Sequence, residues 1–272
     1  MSKEDIVKDG LNDGTTTMVS WCYDNLFTII TIVPVLWVIR RLFYRIQPRW
    51  FVYFLHLLNS NGLGPFMEES KDHFASLSSI VSHDPELRKK KAIRILEIGV
   101  GTGVNSCHYP DGSYLVAVDR NPHLKSYWEN CRKKLPNIHT GELLVASAEN
   151  MEQIADNSID VVVVTLMLCS VPDIDTILRE ILRVLASGGK YYFIEHIVEF
   201  DLQKHGLRRK LQDVGHWLGF WSFLFDGCHM NRDILTNIER AGFSSVDAQK
   251  FYKKTWFISS FTSPSLKGIA TK

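Results

Sequence analysis

The chain has 272 residues, 45% of them apolar and 22% charged, and a formal net charge of +1. That length holds one or two domains with a sizeable core, and the near-neutral balance excludes a bulk binder of nucleic acid or other polyanions. Five cysteines, at 22, 107, 131, 169 and 228, form no CxxC pair and no metal-ligand spacing, and no Asn-x-Ser/Thr sequon is present. No metal is expected, and the globular part suits a reducing, cytosol-facing environment.

Residues 1–17 read as a polar leader and 18–58 as a membrane anchor. Asn25 to Ile39 (NLFTIITIVPVLWVI) is uncharged; Asp24 precedes it and Arg40, Arg41, Arg45 and Arg49 follow. The stretch is shorter than the roughly 20 residues of a straight span, and Pro34 is expected to kink it. Both a span and a kinked monotopic insertion are therefore open, the latter with Trp50, Phe51, Tyr53 and Phe54 at the interface. The plain alternative is a buried core helix. The leader has no basic region and no small-x-small site, unlike a cleaved signal peptide. The arginines after the apolar run would keep the remainder on the cytosolic side.

Residues 59–91 read as a helical linker, with a helix from Met67 to about Val81. From residue 92 to 272, β-branched runs alternate with amphipathic segments. Strands are expected at Ala92–Ile98, Ser113–Val118, Leu143–Ala146, Ile159–Thr165 and Lys190–Ile197. Helices are expected at Asn121–Lys134, at Pro172–Ala186 (stopped by Gly188 and Gly189), at Leu207–Leu224 and at Arg232–Ala241. Two closing strands, Ser244–Phe251 and Thr255–Phe261, complete a doubly wound, mostly parallel, seven-stranded α/β sheet.

The first strand runs into Gly99, Gly101 and Gly103 (ILEIGVGTGVN), a turn that lets backbone approach a ligand. The third glycine comes one residue early for a dinucleotide fingerprint. Three carboxylates decide the reading: Glu97 before the turn, Asp119 ending the second strand, and Glu149 after the third. Asp119 suits ribose hydroxyls, and Glu149 lies where an adenine edge would be read. Glu97 would repel a pyrophosphate, so a phosphate-free cofactor with a cationic end fits best: S-adenosylmethionine (SAM).

The E-x-G-x-G-x-G pattern, the acidic strand end, "AEN" after strand three and the closing hairpin resemble class I SAM-dependent methyltransferases. The segments "LEIGVGTGVNSCHYPDGSYLVAVDRNP", "AENMEQIADNSIDVVVVTLMLCSV", "ILREILRVLASGGKYYFIEH" and "FDGC" resemble the membrane-associated, methyltransferase-like thiol S-methyltransferases of animals, over roughly residues 92–260. That resemblance implies a cofactor site at Glu97, Gly99, Gly101, Asp119, Ala148 and Glu149, with Gly103 completing the turn and Thr165 and Leu166 lining the methyl-transfer end. It also implies anchoring in endoplasmic reticulum and lipid-droplet membranes.

No [ND]-P-P-[YF] motif follows strand four; "TLMLCS" stands there instead, which suits a small apolar acceptor. A thiol needs little base assistance. Should a base act, His196 after strand five is the candidate, beside Asp119 at the cofactor, with His216 and Asp226 as further ones; Cys169 and Cys228 read as buried structural cysteines. The aromatic run "HWLGFWSFLF" at 216–225 reads as a lid or as core packing. A lipid or quinone acceptor, and a non-catalytic membrane or lipid-droplet role, stay open from sequence.

Overall fold

In the computed structural model, residues 18, 20, 21, 23–60, 67–253 and 257–272 are described; the polar leader 1–17 lies outside them. The chain divides into two units, Met1–Gln47 and Pro48–Lys272. Helix α1, Leu26–Ser60, continues through Pro34 and Pro48. It alone among the described residues is long and apolar enough to cross a membrane. Within the first unit its apolar side chains, such as Ile30, Val33, Leu36 and Trp37, are exposed.

The second unit is built on one sheet. Its strands are β1 Arg94–Ile98, β2 Tyr114–Asp119, β3 His139–Thr140, β4 Leu144–Val145, β5 Ile159–Thr165, β6 Leu185–His196, β7 Ser245–Tyr252 and β8 Pro264–Thr271. The order is β3-β2-β1-β5-β6-β8-β7, with β4 also on β2. Strands β3 and β4 pair with the start and the end of β2, so they share one edge position. Pairing is parallel from β3 to β6 and antiparallel where β8 enters between β6 and β7. The chain winds outward from β1 in one direction and then resumes at β5 on the other side. That reversal is a switch point, and ligands bind outside the carboxyl ends of the strands there.

Strand β5 (IDVVVVT) is buried at every residue but the last, as a central strand covered on both faces must be. Helices α5, Ile174–Val184, and α8, Ile234–Arg240, cover one face through Ile177, Leu178, Ile181 and Ile238. On the other face, helix α2, Met67–Phe74, supplies Phe74, and helix α4, Lys125–Arg132, supplies Trp128. Between α2 and β1 lies the short helix α3, Pro85–Lys89, capped by the Asp84 carboxylate on the amides of Glu86 and Leu87.

Several boundaries differ from the sequence reading. The helix from Met67 is α-helical only to Phe74 and continues as a 3-10 turn, Ala75–Ser79. Helix α5 ends at Val184 and passes directly into β6 at Leu185; Gly188, at φ +74°, turns the chain inside the strand's irregular start. The expected helix 207–224 is two: α6, Leu202–Leu218, opened by the Asp201 carboxylate on the amide of Lys204, and α7, Phe220–Leu224, separated by left-handed Gly219. The last strand is Pro264–Thr271. Of the strand expected at Thr255–Phe261, residues 255 and 256 lie outside the described residues, and Phe257–Thr262 is a 3-10 helix.

Candidate functional site

A cavity of about 220 Å³ opens at the carboxyl ends of β1, β2, β4 and β5. The glycine turn makes its floor. Gly99, Gly101 and Gly103 all have positive φ, at +73°, +55° and +81°, which L side chains adopt only with strain. Their roles differ. A Cβ on Gly99 would lie 2.9 Å from Met167 Cγ, and one on Gly103 would lie 2.5 Å from Cys131 Sγ. A Cβ on Gly101 would point into the cavity, with Leu55 Cδ2 at 3.3 Å. Gly99 and Gly101 line the cavity, whereas Gly103 is held by packing against α4 and does not line it.

Asp119, the last residue of β2, lines the cavity. Its Oδ2 accepts the Gly101 amide at 3.2 Å and its Oδ1 accepts the Asn121 amide at 2.9 Å. Each oxygen keeps a second lone pair for a ligand hydroxyl. Burial pushes its carboxyl pKa up, and the two amides pull it back. Ala148 and Glu149 line the same cavity, Glu149 accepting the Ser147 hydroxyl.

Glu97 is buried behind the wall rather than in it. Its Oε1 accepts Asn105 Nδ2 at 2.8 Å, and the same amide nitrogen lies 3.2 Å from Thr165 Oγ1. Asn105 and Thr165 line the cavity, so Glu97 acts on it through them. Burial raises the Glu97 pKa to about 7, against the hydrogen bond from Asn105 that lowers it.

Leu166 follows Thr165 with φ +54°, and its amide bonds Ile194 O at 2.9 Å. Asp226, on the facing segment, has φ +48° and also lines the cavity. Left-handed conformations at non-glycine residues cost about 1–3 kcal/mol each and gather at ligand sites. The Asp226 carboxylate pairs with Arg120 at 3.0 Å.

His196 does not line the cavity. It is buried at the end of β6, with Nε2 3.0 Å from Cys228 Sγ. His216 lies on α6 and faces His229, ring nitrogen to ring nitrogen at 3.0 Å.

The sequence reading missed one wall altogether. Phe51, Val52, Leu55 and Asn59 of α1 line the cavity, Val52 is a core residue, and Asn59 Nδ2 donates to Thr102 Oγ1 at 2.8 Å. The expected anchor boundary at residue 58 thus falls within a helix whose segment from Pro48 belongs to the second unit. Polar Asn59 at the end of an apolar run was the available signal. Asn105, two residues past Gly103, was missed as well.

A doubly wound sheet with an antiparallel strand inserted between β6 and β7, a glycine turn after β1 and a carboxylate ending β2 fit the class of SAM-dependent methyltransferases. Residues 96–193 match the family described as "Methyltransferase domain". The chain is 33% identical to the human thiol S-methyltransferase TMT1A over 201 residues, which cover 74% of this chain and 78% of that one. It is 32% identical to the mouse thiol S-methyltransferase TMT1B, with the same coverage. The chain belongs to this thiol S-methyltransferase family. Among solved structures, a SAM-dependent methyltransferase from Methanosarcina mazei superposes with TM-score 0.50 at 19% identity, covering 71% of this chain and 99% of that one. The cyclase SpnF superposes with TM-score 0.52 at 15% identity, covering 74% and 79%. A cyclase on this fold shows that architecture does not fix the reaction.

Proposed function

We propose that the chain is a membrane-anchored enzyme that transfers the methyl group of SAM to the sulfur of small lipophilic thiols. One observation carries the acceptor: the wall facing the glycine turn is apolar, formed by Phe51, Val52, Leu55, Leu166 and Met167. The 33%-identical human relative is a thiol S-methyltransferase, which supports the choice of sulfur.

The cofactor residues are Gly99, Gly101, Asp119, Ala148, Glu149 and Thr165, with Leu166 at the reacting end. Asp119 would hold the ribose hydroxyls, with its orientation fixed by Gly101 and Asn121. Asn105, tied to Glu97 and Thr165, would fix the end of the site that takes the amino-acid portion. SAM supplies an electrophilic methyl on a sulfonium; the chain supplies alignment and an apolar wall. A thiol of pKa near 8.5 is a few per cent thiolate at pH 7. No side-chain base is needed, and buried His196 is not assigned as one.

The membrane part of the reading rests on α1. It is extended by α6, which exposes Leu207, Leu211, Val214, Trp217 and Leu218 along one side, with Trp217 82% exposed. Such a stripe beside Lys204 and Lys210 suits the surface of a bilayer. Localisation to endoplasmic reticulum and lipid droplets, with the enzyme on the cytosolic side, belongs to the same proposal.

The test is product analysis with full-length protein in detergent, methyl-labelled SAM, and a panel of alkyl thiols, aryl thiols, phenols and lipid extract. Labelled thioethers are expected. Labelled phenol ethers or lipids with no thioether would overturn the thiol reading in favour of a lipid or quinone acceptor.

A further inference from the structure

Three side chains far apart in sequence meet behind the cavity. Cys169 Sγ, a ring nitrogen of His196 and Cys228 Sγ all lie within 4.8 Å of one another, and all three residues are buried. They come from different segments: the 3-10 turn Leu168–Ser170 after β5, the last residue of β6, and the segment after α7. We infer that Cys169, His196 and Cys228 form a Cys2His site for a thiophilic divalent cation of the zinc type.

The donor set is the first argument. Two thiolates and one neutral imidazole match the soft and borderline ligands that zinc selects, and with Zn²⁺ they make a centre of zero net charge. Neutrality removes the large penalty of burying an unpaired ion. Tetrahedral zinc–ligand bonds of about 2.0–2.3 Å place neighbouring donor atoms about 3.3–3.8 Å apart. Atoms that lie within 4.8 Å of one another reach that spacing by side-chain shifts of about 1 Å.

The second argument is preorganisation. Both cysteine segments are clamped before any ion arrives. Glu195 Oε1 accepts the amides of Met167 and Leu168 at 2.9 and 2.8 Å, holding the turn that carries Cys169. Arg232 donates to Leu168 O at 3.0 Å and to Val171 O at 2.5 Å, holding the same turn from the other side. The His229 amide donates to Cys169 O at 2.9 Å, which joins the two segments directly. Gly227 has φ +86°, and a Cβ there would lie 3.0 Å from Ser170 O, so only glycine lets the Cys228 segment approach this closely. Trp221 Nε1 donates to Cys228 Sγ at 3.3 Å. A fixed N–H on a ligating sulfur is the kind of outer contact that orients metal ligands.

Binding replaces two S–H bonds and three bonds from the ion to water by two metal–sulfur bonds and one metal–nitrogen bond, and it releases the water and two protons to solvent with no change of oxidation state. The ion would join the strand ends to the segment that carries Asp226 into the cavity wall. This does not rest on the choice of methyl acceptor, and its test reads metal rather than activity.

The experiment is a Co²⁺ titration of the full-length, reduced, chelator-treated protein in detergent, followed by Zn²⁺. The expected result is one equivalent of Co²⁺ with near-ultraviolet sulfur-to-cobalt charge-transfer absorption, displaced by Zn²⁺. Cys169→Ser, Cys228→Ser and His196→Ala should each weaken binding at least tenfold, and Cys107→Ser should not. No charge-transfer absorption in the wild-type protein would overturn the site without reference to any variant. So would unchanged binding in all three ligand variants.

Discussion

The Asn105 side-chain amide is held by the buried Glu97 carboxylate at 2.8 Å and reaches Thr165 from the same nitrogen. A carboxylate that looks from sequence like a direct cofactor contact sits behind the cavity and holds a side chain that lines it. Burial raises its pKa from 4.5 to about 7, so the folded state favours the neutral acid. The stability this gives is full below pH 4.5 and is lost as pH rises through about 7. Glu195, raised by burial to about 7 as well, behaves likewise. His73, lowered to about 4 by burial, works in the opposite sense between pH 4 and 6.5. The readout is therefore the difference between wild type and Glu97→Gln. The variant should gain on wild type between pH 5 and 8, approaching about 3 kcal/mol at about 1.4 kcal/mol per pKa unit. Parallel melting curves across that range would contradict it.

Asp119→Ala should weaken SAM binding by ten- to a hundredfold, because hydrogen bonds to charged groups are worth about 1.5–3 kcal/mol. Calorimetry on the full-length protein checks this. Near-wild-type affinity would mean that Asp119 does not hold the ribose.

Two of the three turn glycines, Gly101 and Gly103, should separate folding from binding. Gly103→Ala puts a methyl 2.5 Å from Cys131 Sγ at φ +81° and should cost about 2 kcal/mol or more of stability. Gly101→Ala points into the cavity. It should cost about 1 kcal/mol in folding but reduce SAM affinity more than Gly103→Ala does. Equal effects of the two on affinity, at matched stability, would contradict the division.

Leu55→Ala widens the apolar wall without touching Asp119 or Asn105. KM for small alkyl thiols should rise several-fold while kcat changes little, since burying a methylene contributes about 0.8 kcal/mol. A fall in kcat with unchanged KM would mean that α1 serves alignment rather than acceptor binding.

Much of the nucleotide-binding half was legible because local pattern and tertiary role agree there. Strand β5 is a continuous β-branched run because both its faces are covered, and its bounds, Ile159–Thr165, are those expected. The closing hairpin misled for the opposite reason. Strand β8 lies between β6 and β7, yet it reads PSLKGIAT. A Cβ on its Gly268 would meet Asp247 O and Phe193 Cζ at 2.4 and 2.5 Å, so packing demands the residue that pattern reading takes for a break. The aromatic stretch before it looks more like a strand and is a 3-10 turn from Phe257. The α1 wall and the meeting of Cys169, His196 and Cys228 depend on contacts between distant segments, and no local spacing encodes those.

The assignment of the cavity to SAM is tested most directly by the melting midpoint of the full-length protein with SAM, S-adenosylhomocysteine and NADH in turn. A ligand at about 100 times its dissociation constant adds roughly 2.7 kcal/mol. A clear rise is expected with both adenosyl compounds and none with NADH. A rise with NADH alone, or no rise with any of the three, would contradict the assignment of the glycine turn and Asp119 to SAM.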